Sequence, residues 1–173
     1  RQMCIRDRMY LGCELHSSMD MTDCLKKGER LTMSGSRYVL TEFRTSDEKS
    51  YIRERVQALI RKGYYPIIAH VERYHSVVKN GLDFIDELRD MGAYIQMNAD
   101  SIIGEDGFMI KRFCKKVIKE EMLDFVGSDG HDLARRTPHI GKCYDKIEKM
   151  MGTDYADMIF ISNPECIINN ERF

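Results

Sequence analysis

Short apolar runs alternate with longer amphipathic segments along most of this 173-residue chain. The short runs begin near residues 38, 64, 93 and 123, and their β-branched and aromatic side chains predict buried strands. Helical spacing of apolar side chains occurs in four longer segments, at residues 47–62, 81–91, 108–121 and 140–151. A helix between successive strands is the connection that parallel strands require. The sequence therefore predicts an α/β fold with a parallel sheet, and both a barrel and an open sheet satisfy this pattern.

Composition excludes several classes of protein. Hydrophobic residues make up 43% of the chain, enough for one core, and the charged residues leave a formal net charge of -1. A chain without a basic excess is not expected to bind nucleic acid. Its apolar runs all fall short of the roughly 18 residues that a spanning helix needs, so no direct membrane insertion is expected. Six cysteines without a Cys-x-x-Cys pair argue against zinc knuckles and are typical of reduced thiols in a cytoplasmic protein.

The first eight residues differ in character from the rest. Residues 1–8 read as neither a signal peptide nor a good start of a helix or strand, and they resemble the translation of a transposon mosaic end used in sequencing libraries. We expect them to be a processing scar, outside the fold. Residues 9–173 are then the C-terminal portion of a longer domain. A genuine polar N-terminal arm is the alternative.

Two of the predicted strands run directly into side chains that bind metals. Residues 67–73 lead from an apolar run into His70, and residues 125–131 lead from another into Asp129 and His131. In barrels and doubly wound sheets, the carboxyl ends of the strands carry the chemistry. Imidazole nitrogens and carboxylate oxygens are ligands of divalent metals. These segments therefore predict a metal site at one edge of the sheet.

Further candidates extend this site toward phosphate chemistry. Glu14 ends a short apolar stretch and offers another carboxylate, while Arg73 and Arg136 follow the two histidines closely. Guanidinium groups donate paired hydrogen bonds to phosphate oxygens that gain charge in the transition state. Metals activate water as hydroxide and hold phosphoryl oxygens. Together these residue types favour hydrolysis of a phosphate ester.

Some of these candidates also have a purely structural interpretation. His70 at the end of an apolar strand is compatible with a hydrogen-bonded core histidine, and Asp129 with a helix N-cap or turn. Spacing alone gives only weak evidence that Glu14 is a metal ligand, since a glutamate at a strand end is commonplace. Arg135 is a neighbour that competes with Arg136 for the same role.

The order and spacing of these motifs resemble the CpsB/CapC-type, manganese-dependent tyrosine-protein phosphatases of bacteria, members of the polymerase-and-histidinol-phosphatase (PHP) superfamily. The resemblance extends from about residue 10 to residue 173. Six segments carry it, at residues 10–14, 36–43, 63–74, 96–104, 128–131 and 163–165.

This resemblance implies a fold, a site and an activity. The fold is a distorted β/α barrel of the PHP type, here without its N-terminal strands, with three metals at the strand C-termini. The implied site residues are the metal ligands Glu14, His70, Asp129 and His131 and the phosphate-binding arginines Arg73 and Arg136. The implied cofactor is Mn²⁺, and the implied partner is the phosphotyrosine tail of a bacterial tyrosine autokinase that regulates capsule or exopolysaccharide synthesis.

The sequence departs from the family pattern in small and large ways. Val71, Asp132 and Thr137 replace a proline, an asparagine and a proline, which are mild changes. The family also opens with a His-x-His strand, followed by a Thr-Pro-His segment, and both bear metal. Neither is identified in this sequence, since His16 and His75 do not match those positions in spacing or context. We therefore expect this chain alone to bind metals poorly and to be inactive.

Three other functions compete with the phosphotyrosine phosphatase hypothesis. One is another metallophosphatase of the same superfamily, with a substrate such as histidinol phosphate. A second is a non-catalytic fragment that only binds the kinase tail. A third uses Cys24 and Arg30, which fit the Cys-x5-Arg signature of thiol-dependent tyrosine phosphatases. The third is disfavoured, because Cys24 follows a polar stretch and Glu29 would place negative charge beside the phosphate.

Overall fold

The predicted α/β fold is confirmed by a computed structural model, which describes residues 9–131 and 138–173. Its strands are β1 (Glu14–His16), β2 (Tyr38–Glu42), β3 (Tyr65–Ile68), β4 (Tyr94–Asn98) and β5 (Phe125–Gly127). Its helices are α1 (Met21–Lys26), α2 (Lys49–Arg61), α3 (His75–Asn80), α4 (Leu82–Asp90), α5 (Ala99–Ile103), α6 (Phe108–Lys119), α7 (Ile140–Met151), α8 (Thr153–Asp157) and α9 (Asn163–Asn169). Residues 1–8 lie outside the described part of the chain, so the processing scar remains a prediction.

The strands form one parallel sheet in the order β1-β2-β3-β4-β5. Each strand therefore pairs with its successor in sequence, and the order never reverses. A doubly wound sheet has a reversal point, whereas a barrel wall adds its strands in sequence, with right-handed crossovers placing the helices on one face. The topology is thus that of a barrel wall, which decides between the two architectures that the sequence allowed.

The helix-covered face of the sheet holds the main core. Ile68 on β3 and Ile95 and Met97 on β4 are fully buried and pack in one cluster with helix side chains such as Leu88 and Val117. Alternate residues of a strand point to opposite faces. The neighbours of these core residues therefore point to the other face, which is the inner face of the barrel wall.

The inner face is apolar at one end and polar at the other. Near the strand N-termini, Tyr38, Tyr94 and Phe125 pack with ring centroids 5.3 to 6.4 Å apart. The Tyr38 hydroxyl donates to the Glu171 carbonyl oxygen at 2.7 Å, and the Tyr94 hydroxyl to that of Phe173 at 3.1 Å. The C-terminal residues thus close the aromatic end. Polar side chains occupy the other end of the same face, where the strands finish.

Most element boundaries follow the sequence pattern, but the short elements do not. The helices at 47–62, 81–91, 108–121 and 140–151 are observed as α2, α4, α6 and α7 with ends shifted by at most two residues. The helices α1, α3, α5, α8 and α9 have five to seven residues and no such signal. Helices of this length are marginal alone and depend on tertiary packing. Among the described residues, none of the helices has the length and apolarity needed to span a bilayer.

Candidate metal and phosphate site

Three side chains with metal-binding atoms converge at the polar end of the inner face. Glu14, Glu42 and His70 each place one ligand atom within 4.8 Å of the others. The His70 Nε2 atom lies 3.0 Å from Glu14 Oε1 and 3.5 Å from Glu42 Oε1. Two carboxylates and an imidazole form a donor set that suits a hard or borderline divalent cation.

The sheet brings these three side chains together. Glu42 is the last residue of β2, and its register partner on β1 is His16, two residues after Glu14 on the same face. Glu14 opens β1 rather than ending a strand, which corrects the expected position of that residue. His70 follows β3 in a left-handed backbone conformation, with φ 33° and ψ 55°. Such backbone is costly for a non-glycine residue and is typical of functional sites.

The electrostatics of the group favour a bound cation. His70 is 5% exposed, and burial alone would lower its pKa. The hydrogen bond to Glu14 and the negative charge of that carboxylate outweigh burial and raise the pKa of His70 above its ordinary value. Without a metal, protonated His70 would balance the carboxylates. A divalent cation neutralises the same charges and displaces that proton.

A second polar group surrounds Asp129, just after β5. The Arg73 Nη1 atom donates to Asp129 Oδ2 at 2.7 Å, and the Asn98 amide donates to the same oxygen at 3.0 Å. Asp129 also has a left-handed backbone, with φ 46°. The His131 Nδ1 atom lies 2.8 Å from the Asp129 carbonyl oxygen, and the His131 side chain is 61% exposed. The Asp129 carboxylate, a candidate metal ligand, is thus in contact with the Arg73 guanidinium, a candidate phosphate-binding group.

A chain of buried amides on β4 connects the two groups. The Gln96 side-chain carbonyl accepts the His70 backbone N–H at 3.0 Å, and its amide nitrogen donates to Asn98 Oδ1 at 3.2 Å. The Asn98 amide then donates to Asp129. The Asn98 backbone N–H donates to Glu72 Oε1 at 3.0 Å, which ties the loop after β3 to β4. The amide chain thus holds His70 and Asp129 in a fixed relation.

Gly127 leaves the space that this amide chain needs. A Cβ atom at residue 127 would overlap the Gln96 amide nitrogen. The Gln96 side chain is buried, and both its amide oxygen and its amide nitrogen are hydrogen-bonded. We expect Gly127→Ala to displace Gln96 and leave the His70 N–H without its acceptor. An unpaired buried group costs about 1–3 kcal/mol. The free energy of unfolding, measured by urea denaturation, should fall by about that amount.

Gly141 provides the matched control for this substitution. It lies in α7, and a Cβ there meets no atom within 4 Å. Gly141→Ala should therefore leave stability unchanged or raise it by up to about 1 kcal/mol, since alanine is the better helix former. Equal effects of the two substitutions would contradict the packing role given to Gly127.

A cavity of about 390 Å³ opens beside the Asp129 group. Its lining residues are Arg73, Asn98, Asp100, Glu105, Asp106, Ser128 and Asp129. The His139 Nδ1 atom lies 2.7 Å from Oδ1 of Asp100, which is one of these lining residues. His139 closes a Thr-Pro-His triplet at residues 137–139, so the expectation that the sequence has no such segment was wrong. His139 is not part of the group formed by Glu14, Glu42 and His70.

The expected site residues fall into two neighbouring groups. Glu14 and His70 meet directly, and Arg73, Asp129 and His131 assemble on the other side of the β4 amides. Arg136 lies outside the described residues. The metal and phosphate roles given to these residues stay predictions.

Sequence reasoning missed Glu42, Gln96 and Asn98. Glu42 is the penultimate residue of the predicted strand at 38–43, so it carried a strand-end signal like that of His70. Gln96 and Asn98 are polar residues in an apolar strand, and only their partners across the sheet reveal what they do.

Local geometry opposes thiol chemistry at Cys24. The Cys24 thiol lies within the short helix α1 and donates to Asp20 Oδ2 at 3.7 Å. Burial raises the pKa of this thiol, and Glu29 and Asp20 raise it further. A nucleophilic cysteine needs a lowered pKa. The environment of Cys24 therefore disfavours the Cys-x5-Arg mechanism.

Known proteins are similar to this chain over most of its length. Residues 1–169 match the family model for capsular polysaccharide synthesis, CpsB/CapC. The tyrosine-protein phosphatase CpsB of Streptococcus pneumoniae is 32% identical over 165 residues, which cover 92% of this chain and 68% of that protein. The putative tyrosine-protein phosphatase CapC of Staphylococcus aureus is 29% identical over 165 residues, covering 95% of this chain and 64% of that protein.

A solved structure supports the same relationship. It belongs to a study of YwqE from Bacillus subtilis and CpsB from Streptococcus pneumoniae, described as unique metal-dependent tyrosine phosphatases. It superposes with a TM-score of 0.87 at 26% identity, covering 95% of this chain and 66% of the other. The chain thus spans about two thirds of the length of the relatives it matches. With a family match over residues 1–169 and a parallel five-stranded sheet in a fold that superposes on a solved relative, this chain belongs to the CpsB/CapC family.

Proposed function

We propose that the chain carries active-site residues of a metal-dependent protein-tyrosine phosphatase that acts in capsule synthesis. The observation that carries the proposal is the convergence of Glu14, Glu42 and His70, which the β4 amides connect to Asp129 in an arginine-bearing cavity. The chain is a member of a family whose named relatives are tyrosine phosphatases. Metal ligands next to a guanidinium are the parts that hydrolysis of a phosphate monoester needs.

Glu14, Glu42 and His70 would hold the metal, and we assign Asp129 and His131 to further metal binding. A divalent cation bound there supplies Lewis acidity toward a phosphoryl oxygen and toward water. Mn²⁺ is the proposed ion, because it accepts mixed oxygen and nitrogen donors. The β4 amides keep His70 and Asp129 oriented for this role.

Arg73 would hold the phosphate. Its guanidinium lines the cavity, and its side chain is 29% exposed, so it can exchange Asp129 for a phosphate oxygen. Charge-assisted hydrogen bonds from arginine are short and directional, which suits a phosphoryl group. We assign the same task to Arg136, from the resemblance alone.

The proposed substrate is the phosphotyrosine tail of a bacterial tyrosine autokinase that regulates capsule or exopolysaccharide synthesis. The family description and the names of the relatives support this substrate class. We place the protein in the cytoplasm, since the described cysteines Cys13, Cys24, Cys114, Cys143 and Cys166 are free thiols. The relatives named above are tyrosine phosphatases, which favours phosphotyrosine over histidinol phosphate and catalysis over simple tail binding.

Ligand binding by the 173-residue chain tests this proposal. Binding is the readout because the sequence lacks the His-x-His segment that the resemblance implies. Since that lack is expected to weaken metal binding, Mn²⁺ is added at millimolar concentration, where weak binding by the remaining ligands is still measurable. Titration calorimetry should show that a phosphotyrosine peptide binds in the presence of Mn²⁺. Its affinity should fall at least about tenfold after EDTA treatment, since the metal and Arg73 share the phosphate charge.

Two variants separate the metal mechanism from the thiol mechanism. Cys24→Ser should bind Mn²⁺ and the peptide as the parent chain does, whereas His131→Ala should lose Mn²⁺ and metal-dependent peptide binding. Phosphotyrosine binding that ignores EDTA but is lost in Cys24→Ser would overturn the proposal. Tighter metal-dependent binding of histidinol phosphate than of the peptide would favour the other superfamily activity.

A further inference from the structure

Four lysines line a groove between α6 and α7, away from the residues assigned to catalysis. Lys111 and Lys115 come from α6, and Lys146 and Lys149 come from α7. The groove has a volume of about 340 Å³. Residues three or four apart lie on the same side of a helix, so each helix directs two ammonium groups at the groove.

The positive charge of this groove is not balanced by neighbouring carboxylates. Within residues 9–131 and 138–173, none of the four lysines forms an ion pair. The Lys146 Nζ atom instead donates to the Ile102 carbonyl oxygen at 2.5 Å and to the Ile103 carbonyl oxygen at 3.2 Å. Burial and the nearby charge of Lys111 lower the pKa of Lys146. Like charges at this spacing destabilise a helix, and an anionic ligand bound between them would relieve that repulsion.

Apolar side chains also line the groove. Ile102, Ile118 and Met150 line it together with the four lysines. A free phosphate or another anion without apolar groups would leave these apolar side chains exposed to solvent. An acidic peptide with an apolar side chain would cover them. Because the whole chain has a formal net charge of -1, the groove is a local basic surface and not part of a basic face typical of nucleic-acid binding.

The groove and the candidate catalytic cavity share one short helix. Asp100 of α5 lines the cavity, and Ile102 of the same helix lines the groove. Residues two apart project from different sides of a helix, so the two recesses flank α5, and a peptide that occupies both has to cross this short helix.

We propose that the groove between α6 and α7 docks an acidic peptide segment, with an apolar residue among its Asp and Glu residues, from the phosphoprotein whose phosphotyrosine enters the cavity. The link to a phosphoprotein rests on the proposed function; the acidic docking groove itself does not. Docking at a second point raises the effective concentration of phosphotyrosine at the cavity without new contacts there.

Fluorescence anisotropy with a labelled 12-residue peptide of Asp and Glu around a central Leu tests the groove. The parent chain should bind it, and an Asn/Gln version of the peptide should bind at least about tenfold more weakly. The double variant Lys115→Glu/Lys149→Glu should lose at least about tenfold in affinity. The matched double variant Lys27→Glu/Lys79→Glu changes the net charge equally at exposed positions outside the groove, and it should bind as the parent does.

Other results would overturn the docking proposal. These are equal binding of the neutral peptide, equal losses in the two double variants, or tighter groove-dependent binding of a 12-nucleotide single strand or of phosphatidylserine vesicles. The Lys115→Glu/Lys149→Glu variant should keep parent-like Mn²⁺ and phosphotyrosine binding. If the parent chain binds neither of these yet binds the acidic peptide through the groove, the phosphatase proposal fails and the groove stands.

Discussion

Replacing Glu42 with glutamine is expected to lower the Mn²⁺ affinity of the chain at least about 100-fold. Loss of a residue that only supports a ligand costs about 10- to 100-fold in metal affinity, and Glu42 is placed as a direct ligand beside Glu14 and His70. Glutamine keeps the size of the side chain but removes its charge. Titration calorimetry, with elemental analysis of the dialysed protein, measures the effect.

Stability provides a second readout of the same substitution. A ligand present at about 1,000 times its Kd stabilises the folded state by about 4 kcal/mol, so the parent chain should melt higher with Mn²⁺ and Glu42→Gln should not. Glu120→Gln, at an exposed position after α6, should retain the full effect of Mn²⁺. Parent-like Mn²⁺ binding by a folded Glu42→Gln variant would exclude this carboxylate as a ligand.

Metal binding is also expected to depend on pH. Because the raised pKa of His70 lets protons compete with metal, Mn²⁺ should bind more weakly at pH 6 than at pH 8.

The substitution Arg73→Ala is expected to weaken binding of phosphotyrosine about 10- to 100-fold in the presence of Mn²⁺. Hydrogen bonds to charged groups contribute about 1.5–3 kcal/mol, and each 1.4 kcal/mol is a tenfold change in affinity. Mn²⁺ binding should not weaken, because Arg73 and a metal compete for Asp129 Oδ2. Calorimetric titrations with Mn²⁺ and then with a phosphotyrosine peptide separate the two effects.

Two further variants sharpen this test. Arg73→Lys keeps the charge but loses the planar pair of donors, so its affinity for phosphotyrosine should lie between those of the parent chain and Arg73→Ala. Arg61→Ala removes one exposed positive charge at the end of α2 and should change nothing. If Arg73→Ala binds the peptide like the parent chain while Mn²⁺ binding is intact, another group must hold the phosphate.

The sequence could predict those parts of the site that depend on a single strand. His70 and Asp129 stand where apolar runs end, and Glu42 stands at an equivalent place, so period-two patterning and polarity locate them. The grouping of residues could not be predicted in this way. That Glu14 meets His70 across 56 positions, and that Arg73 meets Asp129 across another 56, depends on strand register and loop direction.

By itself, the sequence determined the alternation of strands and helices, the family resemblance and the residue types gathered at the strand ends. These are local properties, set by hydrophobic period and by the chemistry of each side chain. The tertiary structure decided that the sheet is a barrel wall, that Glu42 joins Glu14 and His70, and that buried amides on β4 connect His70 with Asp129. Contacts between distant strands arise from pairing order, register and close packing, none of which a single stretch of sequence specifies.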